Sequence, residues 1–503
     1  MDIKPYMGKF GFGHRESNHI VVEQNGKLWL AFASQGAGMF MMSGDSQGAG
    51  LLELDILHDG KPLPYTYSVT ESIIEILSEK GSCRIVIDAD ARAVRFEGRG
   101  VTIRLDAGQA ARGTTSFCTD GGVLLSIGGA QYFFASRQGK ITFDDTWILN
   151  KFHSVTPVLE ISPKDGKVEL VAYDLPIDTN PPEITKTIDQ CAKENAMDFS
   201  RFCDTIVPVP PEWSALREQV AYLMWLNHKR LPNGSDVILP NQLLSPESTP
   251  YQQAIISLAI KSDARKAAQV ITALTAGAPP AQGYAVLRLF KRGLFKNVSR
   301  SDVFKLIDLL NTQALWWTNN RTGIVPDLHF YAYRHEAGTD ATALFAHDGP
   351  VAAPDINTYI ILLNEAAAHL FEHVLITADG ARLRAAAKEQ VGALVSNLWD
   401  GDAFTGMNIY TEERVNPGKV ISYMPLALGE LLPKYITAQL AATIDDGILE
   451  SPLGVFALLG LNDAGHGKAA ARIAKKALNK ARTAGVTCPI YGAALLALAH
   501  EVL

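Results

Sequence analysis

The feature that most limits the folds open to this chain is a change of hydrophobic period part-way along it. In "SCRIVIDADARAVRFEGRGVTIRLDA" the apolar residues alternate, Ile85 with Ile87, Val94 with Phe96, then Val101, Ile103 and Leu105. That is the period of two expected of strands with one face on a core. "HIVVEQNGKLWLAFAS" sets two apolar runs around Asn25-Gly26, a dipeptide that tolerates the positive φ angles of a tight hairpin. Strands spaced in this way predict an antiparallel β-sandwich over residues 1–180.

From about residue 213 the period becomes helical. Leu383, Ala387, Val391, Leu394 and Leu398 are spaced by three and four, which places them on one helix face. "GKAAARIAKKALNKA" is a helix former with basic residues on its outer face. Residues 181–212 between the two regions are Pro-rich at both ends with one helical stretch inside, the composition of a structured linker. The last ~290 residues, at roughly 20 to 25 per helix with its connection, hold about twelve helices. Twelve is the number in an (α/α)6 toroid, a barrel of six helical hairpins, and no strict sequence period points instead to a solenoid. The expected architecture is therefore multidomain, β followed by α: a sandwich (1–180), a linker (181–212) and an (α/α)6 barrel carrying the chemistry (213–503).

Composition excludes several classes of function. With 47% hydrophobic and 20% charged residues among 503, the chain can bury a large core and is neither disordered nor membranous. No window approaches the ~18 uninterrupted apolar residues of a membrane span. "MDIKPYMGKFGFGH" lacks the basic start and apolar stretch of a signal peptide, and the five cysteines (Cys83, Cys118, Cys191, Cys203, Cys488) are few, odd in number and scattered. Both features predict reduced thiols and a cytoplasmic location. A net charge of −7, read as spread along the chain, offers no basic stripe, so neither nucleic acid nor membrane is expected as a partner. Homo-oligomerisation is left open.

The chain has no G-x-x-x-x-G-K-[ST], no G-x-G-x-x-G between strand and helix, and no G-x-S-x-G. "RHEAGTD" begins like a zinc-binding H-E-x-x-H but has Thr339 at the second histidine position, so no metal is expected, and no cofactor. What remains is a distribution of carboxylates and aromatics at helix ends: Glu247, Tyr251 and Gln252; Trp316, Trp317 and Arg321; Tyr333, Arg334, His335, Glu336 and Asp340; Asp355, Asn357 and Tyr359; and Glu450. In a toroid the loops at one end converge on a cavity. Trp and Tyr there would stack on the apolar face of a sugar while acids and amides bind its hydroxyls. Glycoside hydrolysis needs two carboxyl groups, one to protonate the leaving oxygen and one to activate water. Structural alternatives stand beside each reading: Trp316-Trp317 as helix packing, Asp355 or Asp340 as helix caps, and Arg334 with Glu336 as a surface pair.

The run "HEAGTDATALFAHDGPVAAPDINTYIILLNEAAAHL" resembles the hallmark stretch of glycoside hydrolase family 63 and its relatives, which include trehalases and bacterial mannosylglycerate hydrolases. The resemblance extends over the helical region through "LPNQLLSPESTPYQQAIISLAI" and "LWDGDAFTG". It implies a sandwich packed on an (α/α)6 barrel, a carbohydrate substrate, and inverting hydrolysis of an α-linked glucoside or small oligosaccharide with Asp340 as general acid. The chain departs from the pattern at Ala337 and Ala341, at "GILESPLGVFALLGL" in place of a Tyr-Trp-Arg-Gly-Pro-x-Trp run, and at "AGVTCPIYGAALLALA", where the family's base would stand and no carboxylate does. Glu450, then Glu247, are the candidate replacement bases. The alternatives are inverting phosphorolysis, which needs no base, and a carbohydrate-binding or repurposed barrel without hydrolytic activity.

Overall fold

Asn25 and Gly26 take φ angles of 53° and 78°, and the His19–Gln24 and Lys27–Phe32 strands pair antiparallel around them, as a two-residue turn with two positive φ angles requires. The fold is that of a computed structural model. It describes every residue except 16, 33–51, 107–114, 120–121, 128–129, 145–146, 149–152, 155–157, 175–179, 231–235, 241–248, 262–278, 324, 338–342 and 346–348. Two compact units are present. The first comprises Met1–Cys203 with Tyr222–Lys229, and the second comprises Asp204–Ala221, Arg230–Pro240 and Glu247–Leu503.

The first unit contains two antiparallel sheets of eight described strands each. One runs, in spatial order, through Phe12–Gly13, His19–Gln24, Lys27–Phe32, Leu52–His58, Thr102–Asp106, Val158–Ser162 and Lys140–Asp144, with Lys61–Pro62 beside Leu52–His58. The other runs through Thr115–Thr119, Gly122–Ile127, Ala130–Gln138, Lys167–Asp174, Ala93–Arg99, Ser82–Asp88, Ile74–Ser78 and Tyr65–Val69. The alternating residues from Ile85 to Leu105 are buried as expected, but they serve two sheets. Gly100, at φ 71°, turns the chain from the second sheet into the first. The sheets meet face to face at Gly98, where a Cβ would lie 3.4 Å from Cδ1 of Ile103. The Ile188–Asp204 helix covers the outer face of the second sheet, with Ile188 and Cys191 on Val86, the Asn195 amide donating to the Ile87 carbonyl at 2.9 Å, and Arg95 Nη1 donating to the Lys186 carbonyl at 2.6 Å.

The second unit is helical, and six of its elements close a ring: Pro250–Leu258, Gln282–Lys291, Pro354–His373, Met424–Leu431, Gly454–Leu461 and Pro489–Glu501. Each packs on the next, and the sixth packs back on the first. The helices Arg300–Asn320, Thr377–Leu398, Lys434–Thr443 and Gly467–Ala484 lie outside, each between two ring elements in the chain and packed against at least one of them. This alternation of inner and outer helices is the toroidal arrangement. The stripe Leu383, Ala387, Val391, Leu394 and Leu398 is the buried face of one outer helix.

The inner elements run in one direction. At the N-terminal turns Tyr284 Oη donates to the Phe456 carbonyl at 3.2 Å. At the opposite end Arg292 Nη1 donates to the Leu258 carbonyl at 2.8 Å, Arg288 Nη1 donates to Asp463 Oδ2 at 2.6 Å, and both arginines pair with Glu501. Cations at helix C-termini complement the helix dipoles, so this network of five charges, with Lys291 also on Asp463 at 2.7 Å, fastens one end of the ring. At the other end five of the six inner elements start at a proline or two residues after one: Pro250, Pro280, Pro354, Pro452 and Pro489. A first-turn N–H has no intrahelical acceptor, so proline costs nothing there and its fixed φ starts the helix. The prolines are unequally spaced, which is why no sequence period exposes them.

Ring closure demands close backbone approach. A Cβ on Gly283 would lie 2.6 Å from the Leu363 nitrogen, and one on Gly460 would collide with the Leu426 carbonyl. Gly392, on an exposed outer-helix face, has nothing within 4 Å of the same position. Gly460→Ala is expected to destabilise the chain by about 1–3 kcal/mol through overpacking, whereas Gly392→Ala should stabilise it by up to about 1 kcal/mol through helix propensity. Chemical denaturation of the two variants distinguishes these opposite signs.

Candidate active site

In the toroid, side chains on the connections from outer to inner helices gather at the end where the inner helices begin. Tyr251 and Gln252 occupy the first turn of the first inner helix, Asp355 the first turn of the third, and Glu450 lies four residues before the fifth, exposed to solvent. The chain thus brings to one end groups separated by up to 200 positions. Gln252 already has a task, because its Oε1 accepts from the Thr249 N–H at 2.9 Å and caps its own helix. Asp340 and Glu247 lie outside the described residues.

The longest connection, from Arg300–Asn320 to Pro354–His373, carries most of the remaining candidates. Trp316 and Trp317, adjacent on a helix, project about 100° apart; their rings still meet edge-on at 5.1 Å, but they differ in exposure. Trp317 is 3% exposed and meets Tyr331 edge-on at 5.7 Å, the packing role, while Trp316 is 46% exposed. Arg321 stands 5.1 Å from the Trp316 ring and 6.0 Å from that of Tyr333, which is itself 60% exposed. The His335 ring stacks on Tyr333 at 5.5 Å, and Arg334 is exposed beside it.

One buried carboxylate holds this wall in place. Glu336 is paired with Arg321, in place of the surface pair with Arg334 that the sequence suggested: Arg321 Nε donates to both its oxygens at 3.0 and 3.2 Å, and Nη2 joins them. The Ala332 N–H donates to Glu336 Oε2 at 2.7 Å. This forked, charge-assisted geometry fixes the plane of the guanidinium, and with it the spacing between Trp316 and Tyr333. The hydrogen bonds to Glu336 raise the Arg321 pKa further.

Deeper in, Tyr331 Oη donates to Asp355 Oδ2 at 2.9 Å, with both side chains buried. Burial and the Asp355 charge push the Tyr331 phenol well above its ordinary pKa, so it remains a donor. Asp355 therefore does not cap its helix from the N-cap position, which belongs to Ala353; its carboxylate is tied to a neighbouring strand. That strand, Phe330–Tyr331, pairs with Val351–Ala352, followed by Gly406–Asn408 and Arg414–Val415, a small sheet built wholly from outer-to-inner connections. The Asn357 side chain locks the same connection: its Oδ1 accepts from the His329 N–H at 2.8 Å and its Nδ2 donates to the His329 carbonyl at 2.9 Å. Tyr331, His329 and Asn357 are the positioning residues that sequence reading passed over or left without a role. Among the described residues no group of three or more His, Cys, Asp or Glu side chains is arranged to hold a metal ion, and no helix is long and apolar enough to cross a membrane.

The first unit has a separate cavity of about 350 Å³ under the Ile188–Asp204 helix, lined by His14, Arg15, Asp88, Lys186, Glu194 and Asp198 among others. Its charges are largely matched in pairs, such as Arg15 with Asp198 at 2.7 Å.

No protein-family model matches the sequence, and no curated protein matches it. Among solved structures, the chain is similar to a family GH63 mannosylglycerate hydrolase from Thermus thermophilus (13% identity, covering 56% of this chain and 99% of that one, TM-score 0.45). It is also similar to a family GH92 inverting mannosidase from Bacteroides thetaiotaomicron (10% identity, 99% and 85%, TM-score 0.49) and to a bacterial glucoamylase complexed with acarbose (8% identity, 78% and 67%, TM-score 0.41). At these identities and scores no residue role passes from those proteins to this chain.

His329 gives this region a pH signature. Burial lowers its pKa from 6.5 to about 4, so between those values the unfolded chain binds a proton that the folded chain refuses. Its contribution to stability is intact above pH 6.5 and is lost as pH falls toward 4. Between pH 7.5 and pH 5 the wild type should lose about 2 kcal/mol more stability than His329→Gln, read by urea denaturation at the two pH values.

Proposed function

We propose that the toroid processes carbohydrate, as an inverting glycosidase acting on an α-linked glucoside or small oligosaccharide. The observation that carries this reading is the wall of Trp316, Arg321 and Tyr333, held rigid by buried Glu336 at the end of the ring where Asp355 and Glu450 also lie. Exposed aromatic side chains around a fixed guanidinium suit a ligand that is apolar on one face and hydroxylated at its edge. In this reading Asp340 gives its proton to the glycosidic oxygen as the bond to the anomeric carbon breaks. Glu450 or Glu247 takes a proton from water attacking the opposite face, which requires carboxyl groups about 6.5–9.5 Å apart. Glu450 is supported by its solvent exposure and its place just ahead of the fifth inner element. Asp355, tied to Tyr331, is assigned to substrate hydroxyls.

A second reading, sugar binding without hydrolysis, is favoured by the last connection. The sixth inner helix starts at Pro489, and the turn leading to it, Gly485–Cys488, has no carboxylate.

A panel of α-glucosides assayed with and without phosphate tests both readings. Asp340→Asn is expected to lower kcat by about 10²–10⁴-fold, while Trp316→Ala and Tyr333→Ala should each raise KM by about 2–10-fold with little change in kcat. Undiminished turnover in Asp340→Asn removes the acid assignment. Turnover that depends on phosphate selects phosphorolysis, and saturable sugar binding with no turnover of any linkage selects the second reading.

A further inference from the structure

The Gly467–Ala484 helix departs from the even distribution of charge expected from the net value. Between Asp463 and Glu501 the chain has no Asp or Glu, yet it has six cations: Lys468, Arg472, Lys475, Lys476, Lys480 and Arg482. All six are exposed, while Ala470, Ile473, Ala474, Ala477, Leu478 and Ala481 are buried against the ring. Lys468, Arg472, Lys476 and Lys480 recur every four residues, so they form one row about 18 Å long at ~1.5 Å rise per residue. Neutralisation is slight: Lys476 meets Asp446 at 2.8 Å, and among the described residues the other five make no ion pair. Arg482 lies over Trp213, 5.4 Å from the ring. Like charges at i, i+4 oppose helix formation, so this face is kept against a local cost.

We infer that this helix face is a docking surface for an acidic polysaccharide, a carboxylated or sulfated glycan lying along the row. Four observations select that partner. The apolar face of the helix is already buried, so the helix can meet an anion but cannot insert into a bilayer as an amphipathic membrane helix does. The rest of the chain holds 40 of the 46 Lys and Arg against 53 Asp and Glu. A broad anionic membrane would press on that acidic remainder, whereas a linear polyanion can touch the row alone, within the ~8–10 Å screening length of salt solution. None of the exposed large apolar or aromatic side chains lies on this helix, so the stacking platform that single-stranded nucleic acid uses is missing. Four of the six cations are lysines, hydrated point charges that fit a flexible, repeating anion better than one forked site. The inference is independent of hydrolysis; joined to the proposed activity, it would tether the toroid to a glycan matrix.

The test uses the full chain and heparin as a sulfated-glycan probe, with neutral dextran, vesicles of phosphatidylcholine and phosphatidylserine, and a DNA duplex of about 20 base pairs as comparisons. Binding is measured by calorimetry over a range of salt concentrations. Heparin binding that weakens with salt, with no binding to dextran and weaker binding to vesicles and duplex, is expected. The variant Lys468→Gln/Arg472→Gln/Lys475→Gln/Lys480→Gln should bind heparin at least about tenfold more weakly and with a shallower salt dependence, at a Tm no lower than that of the wild type. A control, Lys305→Gln/Lys388→Gln on two other outer helices, should bind as the wild type does. Equal loss in the control, no loss in the fourfold variant, or vesicles or duplex bound as tightly as heparin at the same salt overturns the inference. Turnover of a small neutral glucoside by the fourfold variant, measured in parallel, separates failure here from failure of the glycosidase reading.

Discussion

Six helices can stand side by side in a closed ring only if their backbones touch, and that contact is what the rest of the second unit depends on. Gly283 lies against the backbone of Leu362 and Leu363, and Gly460 against Leu426. A methyl group at either position would push two ring elements apart. Because the elements form a cycle, displacement at one contact must be absorbed by its neighbours. The tight packing of protein interiors leaves little room for that. Long side chains are correspondingly placed outside the ring, where the Thr377–Leu398 and Gly467–Ala484 helices have charged outer faces.

Parallel inner helices give the ring two unlike ends, and charge is sorted between them. The C-terminal end has Arg288, Lys291 and Arg292, balanced by Asp463 and Glu501. The N-terminal end has Asp355 and Glu450. Helix dipoles favour this assignment at both ends. The difference lies in what the charges can still do: at the fastened end the buried arginines are committed to carboxylates and main-chain carbonyls, whereas Glu450 is exposed and faces water. Chemistry is therefore expected at the N-terminal end on electrostatic grounds, independently of any motif.

The parts of the fold visible in the sequence are those governed by local period. Alternation from Ile85 to Leu105 and the three-four spacing from Leu383 to Leu398 each report one face of one element, and both were legible. Which strands share a sheet was not, because the crossing at Gly100 depends on a backbone conformation and not on side-chain polarity. The five prolines at inner-helix starts were individually visible but unequally spaced, and only ring closure reveals them as equivalent. In the site, the neighbourhood of Arg321, Glu336 and Asp355 could be chosen from composition. Their partners could not: Glu336 takes Arg321, 15 positions away, over Arg334, two positions away, and Asp355 takes Tyr331 from a strand of only two residues. The even spread of charge inferred from the net value failed for a related reason. Six cations average out over 503 residues but not over one helix face.

The absence of a carboxylate before Pro489 weighs less in a ring than it would in a linear arrangement. The outer-to-inner connections lead to one end of the ring, so each is an alternative route for delivering a side chain to it. The connection before the fifth inner element ends in Glu450-Ser451-Pro452, and the one before the sixth in Thr487-Cys488-Pro489. These adjacent connections differ in whether a carboxylate stands two residues ahead of the proline. In the proposed reaction a substrate held against the Trp316–Tyr333 wall would present its opposite face to the far side of the ring, and inversion would require water to be activated from that face. What decides between hydrolysis and binding is thus the angular position of an available carboxylate around the ring relative to the wall, a quantity set by closure of the toroid and not by the motif that any one connection happens to retain.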